Sequence, residues 1–334
     1  MTRMTIVMAA GFALIAVLSA APAQAQRDRV FVASYGSDSN PCTFGSPCKT
    51  FQQAVNVVAG GGEVTAIDSA GFGPVTISHA VTITSPAGVE AGIAAMSGGN
   101  AITISAGTND AISISGMVLD GAARAANNGI QFNSGGSLNV QDCTIRNFAN
   151  DGILFEPNGT SQLFVTNALL AGNEVDGIDI NPTNTGAVTG TIERVRSQSN
   201  GQQGVAIGAA SNAMTLTIGS SVIADNTASG ISVGAATGLN LTVSDSTIAN
   251  NGGSGIFSNA ATSDIMVTAT KIANNSVFGV LVSGSTTIWL TRSTLTGNNN
   301  GSGTESSGSL FTFGDNAVAG NSNGNGAGAS IPYK

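Results

Sequence analysis

The sequence is poor in charge, in aromatic rings and in histidine. Only 9% of its 334 residues are Asp, Glu, Lys or Arg, against about a quarter in ordinary globular domains. Acidic groups outnumber basic ones, 19 to 11, for a formal charge of −8. A chain so short of Lys and Arg presents no basic stripe, which argues against a nucleic-acid backbone or an anionic membrane as partner. Aromatic residues amount to 5%, with one Trp and two Tyr, so the core has to be built from aliphatic side chains. His79 is the only histidine, which argues against a zinc site and leaves no imidazole downstream to activate Cys143. After residue 25 no apolar run is long enough to cross a bilayer as a helix.

What is abundant is glycine, 45 residues, together with Asn, Ser and Thr, the composition of strands joined by tight turns. The first residues follow a different logic. Arg3, an apolar run from Ile6 to Leu18 and the closing Ala23-Gln24-Ala25 predict a secretory signal peptide, residues 1–25, cleaved after Ala25. The mature chain is then expected to be secreted or periplasmic. In such an oxidising compartment Cys42 and Cys48, which bracket a short Pro/Gly loop, are expected to form a local disulfide.

The main signal is a repeat. A Gly followed by Ile or Val recurs at Gly129, Gly152, Gly177, Gly204, Gly230, Gly255 and Gly279, a period of about 25 residues. A second marker keeps the same period: Asn173, Asn200, Asn226, Asn251, Asn275, Asn298 and Asn321. Between markers lie three short alternating segments, exemplified by Ile153/Phe155, Leu163/Val165 and Leu170. Alternation puts these side chains on one face, and repetition stacks like on like about 4.8 Å apart in parallel sheets. The expected fold is all-β: a right-handed parallel β-helix of three short strands per coil and about ten coils. The recurring Asn suits a stack of amides, each donating to the next, at a corner where left-handed backbone is tolerated. Lys49 to Ala59, with Phe51, Ala54, Val55 and Val58 on one side, predicts an amphipathic helix that caps the open N-terminal end. The expected organisation is an N-terminal segment over 26–63, the β-helix over 64–321 and a Gly/Asn/Ser-rich tail over 322–334 that drapes over the last coil.

With these residues in hand, the chain resembles the right-handed parallel β-helix proteins of the pectate-lyase-like superfamily. The stretches Val30 to Cys42, Pro47 to Ala54 and Gly73 to Ile83 resemble the opening of exported bacterial β-helix repeat proteins. The resemblance implies the fold and leaves activity open, since lyases, hydrolases, esterases, epimerases and adhesins share it. Polygalacturonase-like hydrolases of the superfamily carry a Gly-His-Gly and paired aspartates; here His79 stands between Ser78 and Ala80, at a turn expected to be solvated, and no Asp pair occurs.

A Ca²⁺-dependent lyase of the superfamily needs carboxylates from neighbouring coils and a basic residue beside them. The repeat register brings Asp151 and Asp176 one coil apart, with Asp179 and Glu174 nearby and Arg124, Arg146, Arg194 and Arg196 in flanking coils. Asp151, Asp176, Arg194 and Arg196 are thus the catalytic candidates, and Asp151, Asp176 and Asp179 the Ca²⁺ candidates. The alternative is structural: the same column reads Asn128, Asp151, Asp176, Gln203, Ser229 and Ser254, a polar corner before each Gly turn. A ligand-binding candidate faces outward: Phe257 and Leu281 one coil apart outside the first strand, Met266 and Trp289 one coil apart outside the second. Such a surface suits a sugar ring, unless the C-terminal tail covers it. Cys143 falls in a column of small residues with Ala168, Val195, Ser221, Ser246 and Thr270 and reads as a buried side chain rather than a nucleophile. The leading functional expectation is a non-catalytic, exported β-helix that needs no cofactor and binds polysaccharide or another surface polymer. A polysaccharide lyase, with Ca²⁺, and a structural or adhesion protein are the alternatives.

Overall fold

The computed structural model describes residues 27–183, 186–208, 213–326 and 328–332, so the segment expected to be a signal peptide lies outside the described residues. Within them the chain winds through about ten coils, and every strand pairing is parallel, from Arg27–Val32 on Val58–Ala66 to Ser309–Thr312 on Ala329–Ser330. Each coil gives one strand to each of three sheets. Sheet I, entered after the recurring Gly, has ten strands; sheet II has thirteen; sheet III has eleven.

The alternation read from the sequence is the inward face. Ile153 pairs with Ile178, Ile178 with Val205, Val205 with Ile231 and Ile231 with Ile256, all fully buried. Phe132 and Phe155 stack 4.6 Å apart inside sheet I. The columns are interrupted where Gly190 and Ser197 replace the aliphatic residue in one coil and where the buried Ser258 stands between Val233 and Val282 in another. A Cβ on Gly190 would lie 2.5 Å from the Leu163 carbonyl oxygen, and the buried Ser197 donates its hydroxyl to the Gly204 carbonyl at 2.7 Å.

Two corners turn the chain by left-handed residues. Between sheets II and III, Asp142, Asn167, Arg194, Ser220, Asp245, Ala269 and Arg292 have φ between 47° and 55°. Between sheets III and I the residue ahead of the ladder Asn does the same, as at Ser199, Asp225, Asn250 and Asn274. The cost of this conformation, about 1–2 kcal/mol per non-Gly residue, is offset by stacking. Asn173, Asn200, Asn226, Asn251, Asn275 and Asn298 each donate Nδ2 to the Oδ1 of the next ladder Asn at 2.9–3.0 Å.

The solenoid reaches further at both ends than the sequence indicates. Arg27–Val32 forms the first strand of sheet II, with Val30 beside Val64, and the following strand begins at Val58 rather than Val64. The capping helix, α1 (Phe51–Val57), is shorter than the expected Lys49–Ala59, because Asp38 accepts from the amides of Lys49 and Thr50 and Thr50 is its N-cap. It buries Phe51, Ala54 and Val55 over the first coil, with Phe51 5.0 Å from Phe72. At the other end the tail contributes Ala329–Ser330 to sheet II.

Candidate functional site

Asp151 and Asp176 stand at the corner entering sheet I, and both are buried. Oδ1 of Asn128 accepts from the Asp151 amide at 3.1 Å, Oδ1 of Asp151 from the Asp176 amide at 2.9 Å, and Oδ1 of Asp176 from the Gln203 amide at 2.6 Å. One oxygen of each carboxylate is therefore a rung joining successive coils, as the polar-corner reading requires. Asp179, three residues on, points outward in sheet I between Leu154 and Ala206. Burial raises all three carboxyls, Asp151 to about 6 and Asp176 and Asp179 to about 7; the negative charge of neighbouring carboxylates, Glu156 included for Asp151 and Asp179, adds to it.

The set does not fit a calcium ion, which takes about six to eight oxygens. Among the described residues no three His, Cys, Asp or Glu side chains converge closely enough to hold a metal, and Asp151 and Asp176 each spend an oxygen on backbone amides. The arginines do not join the acids either. Arg194 turns the corner between sheets II and III and reaches Glu193 at 3.7 Å, and Arg196 stands in sheet III on Gln198. Position around the coil separates them: the aspartates precede or enter sheet I, while the arginines enter sheet III. Arg124 instead pairs with Glu174 at 3.2 Å, and Arg146 with Asp120 at 2.9 Å.

The outward aromatic residues form a more open arrangement. Met266 pairs with Trp289 and Trp289 with Phe311, consecutive strands of sheet II, and all three are half-buried. The Trp289 and Phe311 rings stack at 6.5 Å with 27° between their planes. The sequence reading missed Phe311, although its place after the inward Leu310 marks it as outward. Hydroxyls of Thr287 and Ser309 flank the rings on one side; on the other, Thr291 is buried and donates to Asp315 at 2.7 Å. Among the described residues the tail extends this sheet rather than lying over it: Ala329–Ser330 pairs beyond Phe311. Phe164 is exposed in the same outward column, five strands or about 24 Å from Trp289 along the axis. Of the second pair, Phe257 is half-buried, but Leu281 is buried at 8% exposure, with the Phe278 ring lying over its neighbour Gly303.

Cys42 and Cys48 are joined in a disulfide. Cys143 is buried, its thiol pushed up to about 12 by burial, and it donates to the Gln141 carbonyl, which leaves no nucleophile. His79 departs from the expected solvated turn: its Nε2 is enclosed with no hydrogen-bond partner among the described residues.

Comparison with known proteins bears on the fold. The family model for the right-handed beta helix region matches residues 176–331. No curated protein sequence matches the chain. The crystal structure of the pectate lyase Pel9A is similar with a TM-score of 0.61 at 15% identity, over 87% of this chain and 78% of that one. A rhamnogalacturonan lyase gives 0.58 at 11% identity, over 91% and 89%. The A-module of the Azotobacter vinelandii mannuronan C-5 epimerase AlgE4 gives 0.56 at 14%, over 82% and 91%. At such identities the likeness is one of fold. By fold, the chain is a right-handed parallel β-helix.

Proposed function

We propose that this protein binds a polysaccharide lying along the outer face of sheet II, without cleaving it. The observation that carries the reading is the Trp289–Phe311 stack, extended by Met266 and open on a flat sheet among Thr and Ser hydroxyls. An aromatic face takes the C–H face of a sugar ring, and the flanking hydroxyls pair with its rim. Coils repeat about every 4.8 Å, so a polymer running along the axis meets a similar row of groups at each coil. That the similar pectate lyase and rhamnogalacturonan lyase are by name polysaccharide enzymes supports this class of ligand.

Affinity electrophoresis in gels cast with neutral and acidic polysaccharides, with and without Ca²⁺, tests it. Retardation is expected, weakened tenfold or more in Trp289→Ala with thermal stability little changed. Absence of retardation in every gel overturns the reading.

A second reading, a polysaccharide lyase or related enzyme, is favoured by one observation: Asp176 and Asp179 are neighbouring carboxyls raised to about 7, as acid–base groups often are. Clearing of the embedded polymer, lost in Asp179→Asn, would select it.

A further inference from the structure

On the outer face of sheet III, in the N-terminal coils, the strands Ala70–Gly71 and Ala91–Ala94 set Gly71 beside Gly92, and Gly92 beside Val118. Glycine in a strand gives up packing and costs chain entropy relative to Ala. Neither residue has a conformational reason to be glycine, since neither φ is positive. Neither has a packing reason. A Cβ on Gly71 would meet nothing nearer than the Gly92 carbonyl oxygen at 4.0 Å, and one on Gly92 only carbonyl oxygens at 3.7 Å, which is ordinary contact. By contrast, Gly152 and Gly177 would place a Cβ within 2.6 Å of other atoms. Further along the same outward column stand Thr144 and Leu169, so the position accepts side chains in other coils. What the two glycines do is leave a depression, the floor of a groove of about 450 Å³, within the size range of small-molecule sites, about 300–1,000 Å³.

The groove's rim carries chemistry. Arg146 lies over it with Nε on Asp120 Oδ2 at 2.9 Å, and Asp120 is itself held by the Ala122 amide and the Asn147 side chain. The guanidinium is thereby oriented, and its terminal N–H groups point to no other side chain among the described residues. Glu90, on the same rim, is exposed and pairs with no cation there. A fixed fork of donors and a free acceptor thus border a flat floor of backbone with Val118 and Ala94 as outward aliphatic neighbours. Arg146 is already neutralised by Asp120 and Glu90 is negative, so an acidic ligand meets net repulsion.

We propose that this groove is a saccharide-binding site that takes a neutral sugar residue, its C–H face on the Gly71/Gly92 floor and its hydroxyls shared between Arg146 and Glu90. It lies on a different sheet from the Trp289 platform and does not rest on it. A Cβ at Gly92 makes only ordinary contacts, so Gly92→Leu is expected to fill the floor, and the gain of a side chain in a regular strand to leave the melting temperature unchanged or higher. A purely structural role for Gly92 requires the reverse.

The test is a titration of the Trp289→Ala protein, and of Trp289→Ala with Gly92→Leu added, with xylohexaose, cellohexaose, mannohexaose and hexagalacturonate, followed by ligand-observed NMR. The expected result is that a neutral hexasaccharide still binds Trp289→Ala and binds the double variant at least tenfold more weakly. Equal binding by the two proteins, or preference for hexagalacturonate, overturns the groove. Complete loss of binding in Trp289→Ala alone also overturns it while leaving the platform intact. Full affinity in Trp289→Ala, removed by Gly92→Leu, upholds the groove and discards the platform.

Discussion

At the ladder corner one Asn side chain holds two coils at once. Oδ1 of Asn251 accepts from both the amide and Nδ2 of Asn226, and its own Nδ2 donates to Asn275 and to the Ile223 carbonyl. Asn251→Ala strands those two donors of Asn226 in a dry corner, at about 1–3 kcal/mol for each unsatisfied group, so a loss of about 3 kcal/mol is expected in urea denaturation. Asn240→Ala, on the exposed face of sheet II, is the control and should change stability by less than about 0.5 kcal/mol. Equal effects at the two sites would remove the ladder from the account of stability. The coil with Gly190 and Ser197 shows the same economy: one buried hydroxyl fills a position that is aliphatic above and below, and finds a backbone partner.

On the scale of the strand and its corner, the acidic column makes stability depend on pH. Asp151, Asp176 and Asp179 have their carboxyls raised from the ordinary 3.8 to about 6 to 7 in the folded protein. The folded state then holds protons more tightly than the unfolded state between about pH 4 and 7, and stability falls as pH rises through that window. The melting temperature is expected to be higher at pH 5.5 than at pH 8, and Asp179→Asn should narrow the difference by raising the value at pH 8. An unchanged difference in both Asp179→Asn and Asp176→Asn would mean that these carboxyls ionise normally. None of these carboxyls lies in the Trp289 column or on the glycine floor, which leaves both available for ligands.

For the whole molecule, a solenoid is stable only if both ends of its core are closed and its sheet edges are managed. The N-terminal end has α1 and the strand Arg27–Val32; the C-terminal end has the tail, which pairs with Ser309–Thr312 and leaves Leu310 only 5% exposed. A chain truncated after Asn321 uncovers Leu310 and the edge of sheet II. It should self-associate with rising concentration in light scattering, under conditions where the full chain shows no change in mass. A truncated chain that behaves like the intact one would show that the tail plays no part in closing the end.

The period of about 25 residues, the inward columns, the Asn ladder and the capping helix are all legible in the sequence, because each coil repeats one local pattern and stacking only multiplies it. The pairs Met266/Trp289 and Phe257/Leu281 follow from the same register. What the sequence by itself leaves open lies between coils and between sheets. Which corner Arg194 turns, that Leu281 is covered while Trp289 stays open, and that Phe311 completes the stack depend on how three faces are wound around one core. The groove over Gly71 and Gly92 is the clearest case. In the sequence these are two glycines among 45, indistinguishable from those that turn corners, and only the winding shows that they stand side by side on an outer face with room for a side chain. Repetition encodes the coil locally, whereas the shape of its surface depends on residues about 25 positions apart that meet only when the sheets form.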